Sequence, residues 1–218
     1  MNRRQSYGKQ SGFTIVELMI ATMVFSVILT VITMGVISFS NRYYKGVHAS
    51  TVQNTTRAIM DNITQGIQFG TATVTPSSGN NFFCAGGSVF MFDNNGVMFT
   101  GSSGQRGVYV TPKTIDPCQN QPMTGGRQLL GNRMRVTFLS VSKLPGFRDM
   151  YQVRLAVAYG DDDVLCAPSL PQGCLVTASY TSTNFINRPD VACKPGNGSQ
   201  YCAVSRLTAN VEKRVTPN

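Results

Sequence analysis

The chain has 218 residues, enough for one globular domain with an extended helix but short of two full domains. Charged residues make up 13% and hydrophobic ones 42%, and Gly, Ser, Thr and Asn are plentiful, which suits a loop-rich β-domain and argues against a helical bundle. The formal charge is +9, and residues 13–218, with 16 bases and 10 acids, retain +6, an excess that could favour nucleic acid or anionic cell surfaces but more often marks a plain solvated surface.

The first element is "SGFTIVELMIATMVFSVILTVITMGVISF", residues 11–39. Residues 13–39 are 27 positions with a single charge, Glu17. That is longer than the about 20 residues a bilayer core needs. Arg3, Arg4 and Lys9 flank the run on one side and Arg42 and Lys45 on the other, so the basic residues alone do not orient it. The six cysteines do. All of them lie beyond the run, which places residues 40 onward in an oxidising compartment outside the cytoplasm. A cleaved secretory signal would have a shorter apolar core and a small-residue site behind it, and none precedes "NRYYKG".

"SGFTIVELMIA" resembles the N-terminal signature of type IV prepilins, the class III signal: a short basic leader ending in Gly, then Phe-Thr-hydrophobic-hydrophobic-Glu. The resemblance implies that residues 1–12 are a leader, cut between Gly12 and Phe13 by a prepilin peptidase. It also implies N-methylation of the new terminus at Phe13, an assembly role for Glu17, and partners in other pilin subunits and a membrane assembly platform. Physical chemistry agrees with this. Cleavage leaves an amine on Phe13 one helical turn from Glu17, and an amine and a carboxylate attract strongly in apolar surroundings where either alone is costly. Pairing Glu17 with the Phe13 amine of a neighbouring subunit would set the register of stacked helices.

The helix is expected to continue over 40–69. Val52, Ile59, Met60, Ile63 and Ile67 recur at helical spacing, with Arg57, Asp61 and Gln65 on the opposite face. A helix from 13 to about 68 would be roughly 80 Å long. Gly35 and Gly46 are its weak points. This resembles a pilin spine, whose first half packs in the filament core and whose second half carries a β-domain.

Residues 70–218 read as an extracellular β-rich head. A Thr/Ser/Gly/Pro loop over 70–81 leads to "SVFMFDNNGVMF", with Asn95-Gly96 as a hairpin turn. "RGVYVT" is a further strand, and residues 101–107 and 118–126 read as loops. "NRMRVTFLSV" alternates Met134, Val136 and Phe138 against Arg133, Arg135 and Thr137. "DMYQVRLAVAY" alternates Tyr151, Val153, Leu155, Val157 and Tyr159 against Gln152, Arg154, Ala156 and Ala158. Joined through "KLPGF", each of the two is expected to bury a single face. "YCAVSRLTANVEKRV" adds a last strand. The expected fold is α+β and type IV pilin-like: a long N-terminal helical spine against one antiparallel sheet of four or so strands, with disulfides.

The cysteines fall into local pairs. Cys166 and Cys174 bracket "APSLPQG", Cys193 and Cys202 bracket "KPGNGSQY", and Cys84 and Cys118 remain. The rival pairing is Cys174–Cys193, closing the kind of C-terminal loop seen in many pilins. No C-x-x-C occurs, and the single histidine, His48, is far from the cysteines, so no metal or other cofactor is expected. Asp161, Asp162 and Asp163 lack the ligand spacing of an EF-hand and read as a solvated turn over a calcium site. His48 reads as a surface residue. Asn54, Asn62 and Asn197 open glycosylation sequons, a pattern common by chance. No phosphate-binding loop, zinc-protease or serine-hydrolase motif is found, and no enzyme activity is expected. Among pilin-like proteins, the 206 residues after Gly12, the several cysteines and "TTRAIMDNITQGIQF" resemble PilW-type minor pilins and J-type pseudopilins. A major pilin is the alternative, and a membrane-anchored binding protein that never polymerises is the rival of a different class.

Overall fold

The computed structural model describes residues 12–70, 82–92, 107–112, 126–185, 187–196 and 198–214. The leader up to residue 11, the Asn95-Gly96 turn, Cys118, Asn197 and the expected loops over 71–81, 101–106 and 118–125 lie outside the described residues. The chain forms two compact units, Met1–Arg42 and Tyr43–Asn218. One helix, α1 (Ile15–Phe69), contributes to both.

In the first unit, residues 12–39 are exposed throughout. A helix this apolar on every side has no face suited to water, and it is long and apolar enough to cross a membrane. Three of its threonine hydroxyls are satisfied within the helix: Thr22 donates to the Met19 carbonyl at 2.9 Å, Thr30 to the Ser26 carbonyl at 2.9 Å and Thr33 to the Leu29 carbonyl at 2.7 Å.

In the second unit, α1 becomes one-sided. Val52, Thr56, Ile59, Met60, Ile63 and Ile67 are buried, while Arg57, Asp61 and Gln65 are exposed. Thr56 joins an apolar face at no polar cost because its hydroxyl donates to the Val52 carbonyl at 2.6 Å. Two antiparallel sheets contribute to the same core, where a single one was expected. The first comprises β1 (Phe82–Ala85), β2 (Ser88–Phe92), β3 (Val108–Pro112) and β4 (Arg127–Gln128), in that order. The second comprises β5 (Met134–Lys143), β6 (Met150–Tyr159) and β9 (Ala203–Glu212). Phe83, Phe90 and Phe92 from one sheet and Val136, Leu139, Val153, Leu155 and Val157 from the other meet Ile59, Ile63 and Ile67.

The β1–β2 hairpin turns through Gly86-Gly87, and this turn comes up against the end of α1. A Cβ on Gly70 would lie 2.1 Å from the Gly86 Cα, and Gly86 has φ +63°. Close by, a Cβ on Gly66 would lie 3.2 Å from the Phe90 ring.

β5 and β6 depart from the expected single buried face. A bulge between Val136 and Phe138 shifts the register, so that Phe138 pairs with Ala156 while Leu139 and Val141 join Met134 and Val136 in the core. Arg135 and Thr137, which alternation assigns to solvent, are buried. Their face is covered by a second cluster that includes Ala158, Leu165, Tyr180, Phe185 and Val191. Arg135 forms an ion pair with Asp162, donates to the Gly160 carbonyl at 2.9 Å and stacks over the Phe185 ring at 5.4 Å. A buried guanidinium survives through such pairing and stacking.

The covering layer is held by a short ribbon, β7 (Leu165–Cys166) with β8 (Ala192–Cys193), in which Leu165 pairs with Cys193 and Cys166 with Ala192. Disulfides join Cys166 to Cys174 and Cys193 to Cys202, so the Cys174–Cys193 bridge is not formed. Each closes a Pro/Gly loop onto the ribbon. Cys84 is also disulfide-bonded.

Candidate functional site: the start of the helix

Gly12 and Phe13 precede the helix on exposed backbone; Phe13 is 89% exposed, and nothing lies within 4 Å of the Cβ position of Gly12. Among the described residues, nothing crowds the 12–13 peptide bond.

The helix opens on a reciprocal pair of side chains. The Thr14 hydroxyl accepts the Glu17 N–H at 3.2 Å, and Glu17 Oε2 accepts the Thr14 N–H and hydroxyl, each at 3.0 Å. This is a capping box, T-x-x-E, in which the N-cap threonine and the third helical residue satisfy each other's backbone donors. A carboxylate at a helix N-terminus also faces the positive end of the helix dipole. Glu17 therefore has a role within its own helix. The signal for it stands in the sequence, four letters long, and Thr14 is the functional residue that reading from the family signature passes over.

Residues 7–33 match the family model described as the prokaryotic N-terminal methylation motif. The segment is a type IV pilin-like prepilin signal. The motif supports a pilin-like or pseudopilin subunit and, in general terms, processing by a prepilin peptidase and association with other pilin subunits. Together with the apolar first half of α1, it fits a membrane-anchored pilin that becomes extracellular. Comparison of the chain with curated proteins finds no match, and neither does comparison with solved structures. The prepilin signal thus speaks for the helix start and leaves the head to be read from its own geometry.

The other residues singled out from sequence fall elsewhere. Asp161 pairs with Arg133 and Asp162 with Arg135, so two of the three aspartates serve as ion-pair partners. Among the described residues, no group of three or more His, Cys, Asp or Glu is placed to hold a metal. Asn62 accepts from Arg127 at 2.7 Å and donates to the Ala58 carbonyl at 2.6 Å, which ties its side chain to the head. His48 is not a free surface residue. Its ring stacks on Tyr159 at 4.5 Å, with Tyr44 and Tyr201 each 6.5 Å away. Burial, and secondarily the Arg133 charge, hold its pKa below the ordinary histidine value.

Proposed function

We propose that this chain is a non-enzymatic filament subunit, a minor pilin of a type IV pilus or a related filament. In this reading the leader is removed between Gly12 and Phe13, the new amine on Phe13 is methylated, and an assembly platform draws the helix from the membrane into the filament. The observation that carries the reading is the conjunction at the helix start: an exposed Gly12-Phe13 bond, Glu17 one turn on, and a helix apolar on every side behind it. Glu17 does not have to abandon its cap to meet a neighbour. Both bonds from Thr14 fall on Oε2, which leaves Oε1 to accept the Phe13 amine of another subunit.

The test is the terminus of the mature protein. N-terminal sequencing should begin at Phe13, and Gly12→Val should leave the leader attached and the protein out of filaments. A mature chain beginning elsewhere refutes the processing. Imaging of an epitope-tagged copy then separates the roles: sparse or terminal labelling supports a minor pilin, labelling all along the shaft a major one, and uniform membrane labelling a non-polymerising anchor. DNA or an anionic surface remains a candidate partner for the +6 charge of residues 13–218. Binding that falls steeply and linearly on a log–log salt plot supports it, and a flat slope returns the charge to solvation.

A further inference from the structure

The aromatic cluster around His48 belongs to none of the roles above. Tyr44 and His48 come from α1, Tyr159 from the end of β6, and Tyr201 from the short 3-10 turn Ser199–Tyr201. The Tyr44 and Tyr201 rings are 6.3 Å apart, and Arg133 lies 5.9 Å over the Tyr159 ring. Tyr201 is held in place by its neighbour Cys202, bridged to Cys193, and by its own N–H, which donates to the Gly198 carbonyl at 2.9 Å. Despite these contacts the cluster keeps an outer surface: Tyr43 is 61%, Tyr44 45% and Tyr201 47% exposed.

Tyrosines with apolar rings and wet hydroxyls are the side chains that collect at membrane–water boundaries, together with Lys and Arg. Their distance along the chain agrees. A bilayer with its headgroups is about 40–45 Å thick and takes about 27–30 residues of helix. Counted from Phe13, the far headgroup boundary then falls just before Tyr43, and Arg42 and Lys45 supply cations at the same level.

We infer that Tyr43, Tyr44 and Tyr201 form an aromatic collar that seats the head on the phospholipid headgroups of the membrane in which the helix is anchored. Tyr43 and Tyr44 fix the depth of the helix. Tyr201, 6.3 Å from Tyr44, adds a contact made by the head itself. The inference rests on the membrane-anchored reading above.

The chain contains no tryptophan, so Tyr201→Trp is a single fluorescent reporter. The full-length chain is reconstituted in phosphatidylcholine–phosphatidylglycerol vesicles and floated on a density gradient. Its emission is then quenched with lipid spin-labelled either on the headgroup or at mid-chain. Phe147→Trp is the control: Phe147 is 57% exposed in the turn before β6, and that strand, Met150–Tyr159, sets it roughly 30 Å from the collar. The expected result is quenching of Tyr201→Trp by the headgroup label at least twofold greater than by the mid-chain label, and little quenching of Phe147→Trp by either. Adding Tyr44→Ala should weaken the quenching while flotation persists. Flotation with Tyr201→Trp quenched no more than Phe147→Trp overturns the collar and leaves the anchor standing. Emission that shifts with the protein-to-lipid ratio means a second copy covers the surface, which also overturns it. Failure to float removes the anchor and the collar together.

Discussion

Gly70→Ala is the substitution whose consequence is read most directly from the geometry. The added methyl would lie 2.1 Å from the Gly86 Cα, 2.4 Å from the Gly86 nitrogen and 2.5 Å from the Gly66 carbonyl oxygen. Carbon atoms in contact prefer about 3.5–4.0 Å, so the β1–β2 turn and the helix end would have to part by roughly 1.5 Å. All three obstacles are backbone and cannot swing aside as a side chain would. Overpacking of this kind costs about 1–3 kcal/mol, and a backbone collision belongs at the upper end. For a chain of this size, about 3 kcal/mol corresponds to a fall in Tm of roughly 6–12 °C. Thermal unfolding of the full-length chain in detergent, followed by near-ultraviolet circular dichroism of its tyrosines, measures it. Gly46→Ala is the internal comparison, since nothing lies within 4 Å of its Cβ position; it should be neutral or stabilising by up to about 1 kcal/mol. A Gly70→Ala protein that melts at or above the wild-type midpoint refutes the argument, as does a Gly46→Ala protein that loses as much.

Glu17→Gln separates cap from charge: an amide oxygen still accepts the Thr14 N–H, so helix content and leader cleavage should be retained while entry into sheared filaments falls nearly as far as in Glu17→Ala. Wild-type incorporation of the processed glutamine variant would show that the charge is dispensable. Asp162→Ala takes the carboxylate from the Arg135 guanidinium, whose side chain is 1% exposed, and should destabilise by somewhat less than the about 3–5 kcal/mol typical of fully buried pairs, because Asp162 itself keeps 33% exposure and the Gly160 carbonyl and Phe185 ring stay in place. The double variant Arg135→Met, Asp162→Ala should recover much of the loss in urea unfolding, and a double variant less stable than Asp162→Ala contradicts this. His48 has its folded pKa below the unfolded value of about 6.5, so the unfolded chain takes up its proton first. Its contribution to stability is therefore present above pH about 6.5 and is lost as the pH falls below it; unfolding midpoints of His48→Phe should lack that part of the pH dependence.

The spine was legible because its signals are local. Val52, Ile59, Ile63 and Ile67 announce a buried face by spacing alone, and the alternation through Tyr151, Val153, Leu155 and Val157 marks the core side of β6. β5 was legible only to Val136. The bulge that follows reverses the alternation, and a charged residue at an alternating position reads as solvent-facing unless its partner is known. Asp162 is 27 residues from Arg135, and Phe185 lies further still. The division into two sheets depends on pairings that no local pattern encodes, although Gly86-Gly87 between two apolar runs is a hairpin signal of its own. At the helix start, the same four letters that mark a prepilin also spell a capping box, and the first meaning hid the second. The aromatic cluster around His48 was beyond reach for a plainer reason: positions 44, 159 and 201 meet only once the head has folded.

The threonines of the apolar half of α1 bear on how such a helix can change surroundings. Each of Thr22, Thr30 and Thr33 spends its hydroxyl proton on a carbonyl of its own helix. These three threonines therefore ask nothing polar of whatever surrounds them. In the proposed role, leaving the bilayer for a filament exchanges lipid tails for the side chains of sister helices, with no threonine hydrogen bond broken on departure and none awaiting repair on arrival. The one charge that must find a counterpart on arrival is then at the helix's first turn, where Glu17 stands.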